Sequence, residues 1–246
     1  MKDELGDRMK EFYENATRFS LLRRSYNVAR IDGKAFHTFT RGMKRPFDEG
    51  LMDDMDTTAS YLCKNIMGAK CAFVQSDEIS VVITDFDDLA TQAWFGNNLQ
   101  KMCSISSSMA TRAFNEARLK RSIEENIPMK WAEFDSRIFQ LPTLTEVHNY
   151  LVFRQNDATR NSISSVAQSL YSHKELNGKT GDQKQELIFQ KGINWNDYAP
   201  KFKRGRLIVK ETYEKDGGQR SRWVSADAPI FTQDREFLRN IIPLNS

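Results

Sequence analysis

Two acidic positions occur where short apolar runs end, and their side chains could bind a divalent cation. Asp32 follows the run Tyr26–Ile31, and Asp77 and Glu78 separate two further apolar runs. Carboxylates at the ends of neighbouring strands would form the hard, oxygen-rich site that Mg²⁺ prefers, commonly together with a nucleoside triphosphate. The sequence therefore predicts metal-assisted phosphate chemistry, with Asp32 and Asp77 as ligands. Glu78 is a weaker catalytic candidate, because adjacent residues of a strand face opposite sides.

Each acidic position also has an ordinary structural interpretation. Asp32-Gly33 is a common turn pair, and acids at the tip of a hairpin are often only solvated. The two positions together favour a metal site, because carboxylates on adjacent strand ends repel one another unless a cation lies between them.

The residues after the first acid fit a phosphate-binding turn. Gly33 has no side chain and would let a ligand approach the backbone closely. The backbone N–H groups of Lys34, Phe36 and His37 could face phosphate oxygens. The His37 ring could instead act as a general base or lie on the surface without a role. Ser76 could donate its hydroxyl to a phosphate, although serine is common in hairpin turns.

The surrounding elements predict an α+β fold in which the acids converge. Apolar residues show helical spacing in two stretches, and four short runs fit strands. The order strand, helix, strand, strand, helix, strand is that of a ferredoxin-like antiparallel sheet. In this topology the end of the first strand lies beside the tip of the following hairpin, which brings Asp32 and Asp77 together. The predicted strands are 26–31, 69–75, 79–84 and 134–141, and the predicted helices are 3–17, 51–66 and 91–121.

The chain changes character after Pro142. A capping box at 143–146 opens a helix, and helical spacing continues to about residue 173. Leu151 belongs to the buried row of that helix, and Arg154 continues the same row. Further on, 177–181 is Gly-rich and polar, 186–189 fits a short helix, and Lys215-Asp-Gly-Gly218 fits the turn of a C-terminal hairpin. We predict a catalytic domain over 1–142 and a C-terminal helical and hairpin region over 143–246 that packs on it.

The composition limits the class of protein. Hydrophobic residues make up 39% of the 246, which is enough for a core, and the net charge of +3 does not require bulk electrostatic binding of nucleic acid. The three cysteines lack CxxC spacing and do not cluster with the three histidines, so reduced thiols are predicted and a zinc site is not. A charged N-terminus and the lack of a membrane-length apolar run predict a soluble, cytoplasmic protein.

Most basic residues are scattered, and each alone fits a solvated charge. The densest basic cluster lies near aromatic residues, an arrangement that can hold an RNA backbone or stack a base. An exposed basic loop without a ligand explains the cluster equally well. The candidate RNA-binding residues are Arg154, Lys203, Arg204 and Arg206.

Four segments in order resemble the histidine-tRNA guanylyltransferase superfamily. They are RIDGKAFHTF, QSDE, FDSR and YLVFRQND, and KQELIF over 184–189 resembles a further family segment. The resemblance implies a polymerase-like palm that adds nucleotides to the 5′ end of RNA in the 3′-to-5′ direction. It implies two Mg²⁺ ions, with Asp32, the Gly33 carbonyl and Asp77 as ligands, and Glu78 completing the acidic pair.

The resemblance also implies substrates and further site residues. ATP would adenylylate a 5′-monophosphate RNA end, whereas a 5′-triphosphate end could be attacked directly. The partners would be ATP, GTP and tRNA or another structured RNA with an incomplete 5′ end, and the chain would form a homotetramer. The implied triphosphate or activation contacts are His37, Ser76, Lys101 and Arg137, and other matched residues are Lys44 or Arg45, Asp157 and Lys184.

One segment departs from the eukaryotic pattern. Eukaryotic guanylyltransferases carry a His-Ile-Asn-Asn-like segment that is tied to recognition of the histidine tRNA, and this chain reads ATRNSI over 158–163. The departure disfavours addition of a single guanosine. It favours the bacterial and archaeal guanylyltransferase-like branch, which resembles a template-dependent repair polymerase for 5′-truncated tRNAs.

Other functions also fit parts of the pattern. A nucleotide cyclase on the same palm would use similar carboxylates, and a single-guanosine guanylyltransferase would use the same motifs. A catalytically inert RNA-binding module could share the strand order, but its sheet would carry aromatic and basic residues where this chain has Asp77 and Glu78.

Overall fold

A six-stranded antiparallel sheet forms the centre of the protein. The computed structural model describes residues 3–244, and the strands run in the order β4-β1-β3-β2-β5-β6. The first four in this order form the predicted ferredoxin-like sheet, which the C-terminal hairpin extends. The strands are β1 Tyr26–Gly33, β2 Ala69–Gln75, β3 Glu78–Ile83, β4 Phe134–Leu141, β5 Arg206–Lys215 and β6 Gly218–Asp227.

Helices cover both faces of this sheet. The predicted N-terminal helix is irregular, since its α-helical part continues into a π-helical segment over Lys10–Glu14 and a 3₁₀ turn over Asn15–Thr17. Across residues 3–244, no helix has the length and apolar character that crossing a bilayer requires. The helices are α1 Glu4–Met9, α2 Phe36–Phe39, α3 Glu49–Asn65, α4 Leu99–Glu124, α5 Leu144–Leu170, α6 His173–Leu176, α7 Gly181–Gln190, α8 Pro200–Lys203 and α9 Phe237–Ile241.

The alternation of side chains divides the core into two layers. In β2, Ala72 and Val74 pack with α3 and α4, whereas Cys71 and Phe73 pack on the other face with α5. Because both faces are covered, the central strands consist of continuous apolar runs rather than alternating ones. The apolar runs were therefore recognisable as strands although apolar and polar residues do not alternate along them.

Two boundaries differ from the prediction near the acids. β1 extends to Gly33, so Asp32 lies within the strand and pairs with Glu78 at the start of β3. The apolar run ends at Ile31, but backbone pairing continues to Asp32 with β3 and to Gly33 with β4. Asp32 and Glu78 are therefore held by the sheet itself, whereas Asp77 lies in the turn between β2 and β3.

The helix predicted over 91–121 begins later than its sequence pattern suggested, at Leu99. Phe95 and Gly96 have φ of 50° and 59°, which is outside the helical region, and Asn98 caps α4 by accepting a hydrogen bond from the Lys101 backbone N–H. The apolar residues before Asn98 belong to a 3₁₀ turn, Trp94–Asn97, that packs on the core. Helical spacing alone could not distinguish this turn from a longer helix.

The C-terminal region is joined to the palm through the sheet. The Thr143 hydroxyl accepts from the Glu146 N–H at the start of α5, which is one half of the predicted capping box, and the Glu146 carboxylate accepts from the Asn149 side chain. β5 pairs with β2 from Cys71 opposite Val209 to Val74 opposite Arg206, so both sides of residue 142 contribute to one sheet. The domain boundary there stays a prediction.

Candidate active site

The strand register brings the acidic residues to one end of the sheet. Asp32 on β1 lies directly opposite Glu78 on β3. The Gly33 N–H donates to the Asp77 carbonyl oxygen over 3.0 Å. The tip of the β2–β3 hairpin is a two-residue turn, and Ser76 has φ of 47° there. The acids thus lie next to one another, as the topology predicted.

Arginines surround Asp32 on the sheet face that α5 covers. Arg30 Nε lies 3.0 Å from Asp32 Oδ2 and 3.1 Å from Glu78 Oε2. Arg137 Nη1 is 3.9 Å from the same Asp32 oxygen. Sequence reasoning had not singled out Arg30, although its i, i+2 spacing from Asp32 places both on one face of a strand.

Two observations fit a cation between Asp32 and Asp77. Asp32 Oδ2 is buried and accepts no aligned hydrogen bond, so it retains lone pairs for a metal. The pKa of Asp77 is raised, chiefly by burial and further by the negative charge of Asp32, while hydrogen bonding from Ser76 opposes this shift. A bound cation would relieve both the burial cost and the repulsion.

Few side chains at this end of the sheet could coordinate a metal ion. Over residues 3–244, no cluster of three His, Cys, Asp or Glu side chains is arranged for metal binding. The predicted ligands are two carboxylates and the Gly33 carbonyl. Mg²⁺ is commonly held by one or two carboxylates and completed by water and phosphate oxygens, so these residues fit Mg²⁺ that is bound together with a nucleotide.

Glu78 has other partners in this structure. Arg154 Nε donates to Glu78 Oε1 over 2.7 Å and Arg154 Nη2 donates to Oε2 over 2.5 Å. The two side chains are only 6% and 4% exposed for Arg154 and Glu78, respectively. Burial raises the pKa of Glu78, and Arg154 opposes that shift. The carboxylate is therefore occupied by arginines, and its catalytic role stays a prediction.

The turn after β1 differs in part from the predicted phosphate-binding turn. Lys34 and His37 are exposed, and Lys34 Nζ lies 2.5 Å from Glu133. The Phe36 ring is buried in an aromatic cluster with Phe39 at a centroid distance of 4.8 Å, so it cannot stack on a nucleotide base. Its backbone N–H remains in the first turn of α2, where helical amides lack intrahelical partners.

Gly33 is required by packing. A Cβ built on Gly33 would lie 2.2 Å from a ring carbon of Phe36. The glycine was predicted to let a ligand approach the backbone, but the structure supplies a different reason. Phe36 fills the space that a side chain would need.

A cleft of about 260 Å³ opens beside the hairpin tip. We call it the hairpin-tip cleft. It combines four basic side chains with the stacked rings of Phe47 and Phe202, whose centroids are 4.8 Å apart. Ser76 belongs both to this cleft and to the acidic turn, so the two features adjoin. The residues that characterise its lining are Lys44, Arg45, Phe47, Ser76, Asn161, Ser162, Lys201, Phe202 and Arg206.

Of the remaining predicted residues, Asp157 adjoins the acidic residues, whereas Lys101 and Lys184 do not contact them. Asp157 on α5 accepts from Arg154 over 2.9 Å and so adjoins Glu78. Lys101 is exposed on α4, and Lys184 Nζ donates to the Ser164 hydroxyl over 3.1 Å. In the described part of the chain, neither lysine forms an ion pair with the acids.

Three of the four predicted RNA contacts are buried, so the expectation of exposed cations is wrong for them. Arg154 is enclosed as described above. Lys203 Nζ donates to the Asn196 carbonyl over 2.5 Å, and Arg206 Nε donates to Asp56 over 2.6 Å. Fixed partners hold these cations inward, although Arg206 also lines the hairpin-tip cleft. Arg204 is only partly buried.

Comparisons with known proteins agree with the geometry. Residues 6–142 match the family model described as Thg1, tRNAHis guanylyltransferase. The tRNA(His) guanylyltransferase of Eremothecium gossypii is 30% identical over 207 residues, which cover 78% of this chain and 85% of that protein.

Solved structures extend the similarity to nearly the whole chain. A bacterial tRNA(His) guanylyltransferase (Thg1)-like protein in complex with ATP is 47% identical with a TM-score of 0.87, covering 98% of this chain and 100% of that one. The Saccharomyces cerevisiae tRNA(His) guanylyltransferase is 28% identical with a TM-score of 0.67, covering 86% and 95%.

Proposed function

The chain belongs to the Thg1 family of tRNA(His) guanylyltransferases, a family of nucleotidyltransferases, and we propose that it adds nucleotides to the 5′ end of RNA in a template-dependent, 3′-to-5′ reaction. The observation that carries this proposal is the convergence of Asp32, Gly33 and Asp77 beside the hairpin-tip cleft. An inert RNA-binding module does not agree with this family membership.

We propose that Asp32, Asp77 and the Gly33 carbonyl hold Mg²⁺, with two ions per site. When bound, Mg²⁺ would lower the pKa of the attacking hydroxyl and offset charge on the departing pyrophosphate. Arg137 is exposed and points to the same side of the sheet as Asp32, so it would contact the triphosphate. Lys34 directly follows the last residue of β1. Its ion pair with Glu133 is exposed, so Lys34 would exchange Glu133 for a phosphate oxygen.

The hairpin-tip cleft would hold the activating nucleotide. Its aromatic wall offers apolar contact for a base, and Lys44, Arg45 and Lys201 would neutralise phosphates. Ser76 would donate to a phosphate at the point where the cleft meets the acids. The bacterial relatives of this chain were solved with ATP and with GTP, which supports both as ligands here.

The preference for repair over addition of a single guanosine is supported by the segment after Asp157. Ala158, Asn161 and Ser162 line the hairpin-tip cleft from α5. This segment replaces the one that eukaryotic enzymes use for the histidine tRNA, so the change lies in the wall of the proposed site. We propose 5′-truncated tRNAs as substrates and a homotetramer as the assembly, which light scattering would test.

A direct test uses tRNAs that lack one or more 5′ nucleotides, with the opposing nucleotide varied. The chain should add labelled nucleotides that complement the template and should stop when the stem is complete. Asp32→Asn should abolish addition, whereas the exposed Asp182→Asn on α7 should not change it. Addition of one guanosine regardless of the template would indicate the guanylyltransferase alternative, and cyclic nucleotide formed without RNA would indicate a cyclase.

A further inference from the structure

A continuous series of charged side chains connects α5 to the proposed metal ligand. We call it the charge series, and its members in order are Asp157, Arg154, Glu78, Arg30 and Asp32. Each neighbouring pair is in contact, with shortest distances of 2.9, 2.5, 3.1 and 3.0 Å in that order. The series joins three elements, α5, β3 and β1, and its end at Asp32 faces the proposed cation.

The pair at the centre of the series is rigid. Arg154 uses two nitrogens to hold both oxygens of Glu78, a geometry that fixes orientation as well as distance. Both residues are more than nine-tenths buried. Ser80 lies 3.4 Å from Glu78 and 2.7 Å from the Tyr150 hydroxyl, which closes the remaining side. A displacement of Arg154 would therefore be transmitted to Glu78.

The pair at the end of the series is held by a longer hydrogen bond, which Arg30 Nη2 donates to Asp32 Oδ1 over 3.3 Å. Arg30 is shared between Glu78 and Asp32 at almost equal distances of 3.1 and 3.0 Å. Arg30 Nε and Asp32 Oδ2 are both buried without an aligned hydrogen bond despite their proximity. The position of Arg30 thus depends on how fully Glu78 is satisfied by its other partner, Arg154.

We propose that Arg154 is a positioning residue for nucleotidyl transfer, which acts through Glu78 and Arg30 to orient the Asp32 carboxylate for a divalent cation. This inference rests on the proposed function, because it takes Asp32 as a metal ligand. With Arg154 in place, Glu78 does not draw Arg30 away, and Asp32 keeps a defined orientation. Without the two-point contact, Glu78 competes for Arg30 and the carboxylate loses that orientation.

Arg154→Lys is the informative variant, because it keeps the charge but cannot reproduce the two-point contact. Mn²⁺ binding to the protein, followed by electron paramagnetic resonance without nucleotide or RNA, reports on the site directly. We expect Mn²⁺ affinity to fall roughly 10-fold or more, as for other partners of metal ligands. Arg160→Lys is the matched control: Arg160 binds the other Asp157 oxygen over 2.9 Å, is 64% exposed and should leave Mn²⁺ affinity unchanged.

A double-mutant cycle separates positioning from general stability. In a Glu78→Gln background, Arg154→Lys should cause little further loss of Mn²⁺ affinity, because its route to Asp32 is already interrupted. Urea unfolding of every variant shows whether the fold persists, and Glu78→Gln with Arg154→Met is the charge-balanced pair to use if a single variant fails to fold.

Two results would overturn the inference. One is unchanged Mn²⁺ affinity in Arg154→Lys, whether or not its thermal stability falls, and the other is an equal loss of affinity in both backgrounds. Failure of the proposed function would look different. Wild-type protein would then bind no Mn²⁺, or would bind it equally well after Asp32→Asn.

Discussion

Substitution of Gly33 tests which physical requirement places a glycine beside Asp32 and Asp77. A Cβ at this position would lie 2.2, 2.3 and 2.8 Å from three ring carbons of Phe36. The ring cannot simply withdraw, because Phe114 and Phe134 pack against it at centroid distances of 5.6 and 5.3 Å. Gly33→Ala therefore forces the strand end or the aromatic cluster to move by about an ångström, since normal carbon contacts begin near 3.5 Å.

The expected cost is that of overpacking a well-packed core, about 1–3 kcal/mol in the free energy of unfolding. For a domain of this length that corresponds to a fall in Tm of roughly 2–12 °C. Urea unfolding followed by circular dichroism would measure it. Mn²⁺ binding should weaken at the same time, because the Gly33 carbonyl moves with the strand end.

Gly181 provides a matched control. It begins α7, and a Cβ there meets nothing within 4 Å. Gly181→Ala should leave stability unchanged or slightly higher, because alanine restricts the unfolded chain. In the Gly33→Ala background, Phe36→Leu should recover part of the lost stability. If Gly33→Ala unfolded like wild type but bound nucleotide poorly, the glycine would serve ligand approach and the packing argument would be refuted.

Four further outcomes follow from burial and charge. Asp77→Asn should abolish nucleotide addition yet be at least as stable as wild type in urea unfolding at pH 7. Burial raises the pKa of the Asp77 carboxyl, so its ionised form lowers the stability of the wild-type fold. The difference in stability between variant and wild type should vanish below pH of about 4, where the carboxyl is protonated in both folded and unfolded states. Burial raises the pKa of Tyr150 to about 12, so wild-type stability should fall as pH rises from 10 to 12, and Tyr150→Phe should flatten that part of the pH profile. Lys203→Met should lower Tm without changing the salt dependence of RNA binding, because the buried ammonium contacts no phosphate. A 1–142 fragment should show little cooperative unfolding by circular dichroism, because β2 loses its pairing with β5; a sharp transition would confirm the predicted domain boundary.

Local patterns were sufficient for most of the fold. The bounds of β2 and β4 were predicted as observed; Gly68 precedes β2 and Pro142 follows β4, and both residue types limit strands. The convergence of Asp32 and Asp77 followed from strand order alone. The strand register could not be predicted from these patterns. Asp32 lies opposite Glu78 because backbone pairing continues beyond the apolar run, and no residue type in either strand indicates that it does.

The errors about buried side chains share one physical cause, which is that burial of a side chain depends on partners that are distant in sequence. Arg206 is held by Asp56, and the Phe36 ring by Phe114 and Phe134. A basic residue near aromatic residues fits an RNA-binding loop as well as it fits a buried ion pair. Whether an acidic residue lies within reach decides between these two interpretations, and that acidic residue belongs to another helix or strand.

The burial and pairing of Arg154 could nevertheless have been predicted from the sequence. It continues the row of Leu144, Val147 and Leu151, which is the buried face of α5. An arginine in such a row cannot remain unpaired, because burying an isolated charge is far more costly than burying a paired one. The helix must therefore pack against an acid, and the acids that interrupt the apolar strands are the ones available to it. On this reasoning, an arginine on the apolar face of the helix after the fourth strand predicts that Glu78 is committed to an ion pair. That leaves Asp77 and Asp32, which is bound on one side by Arg30, as the candidate metal ligands.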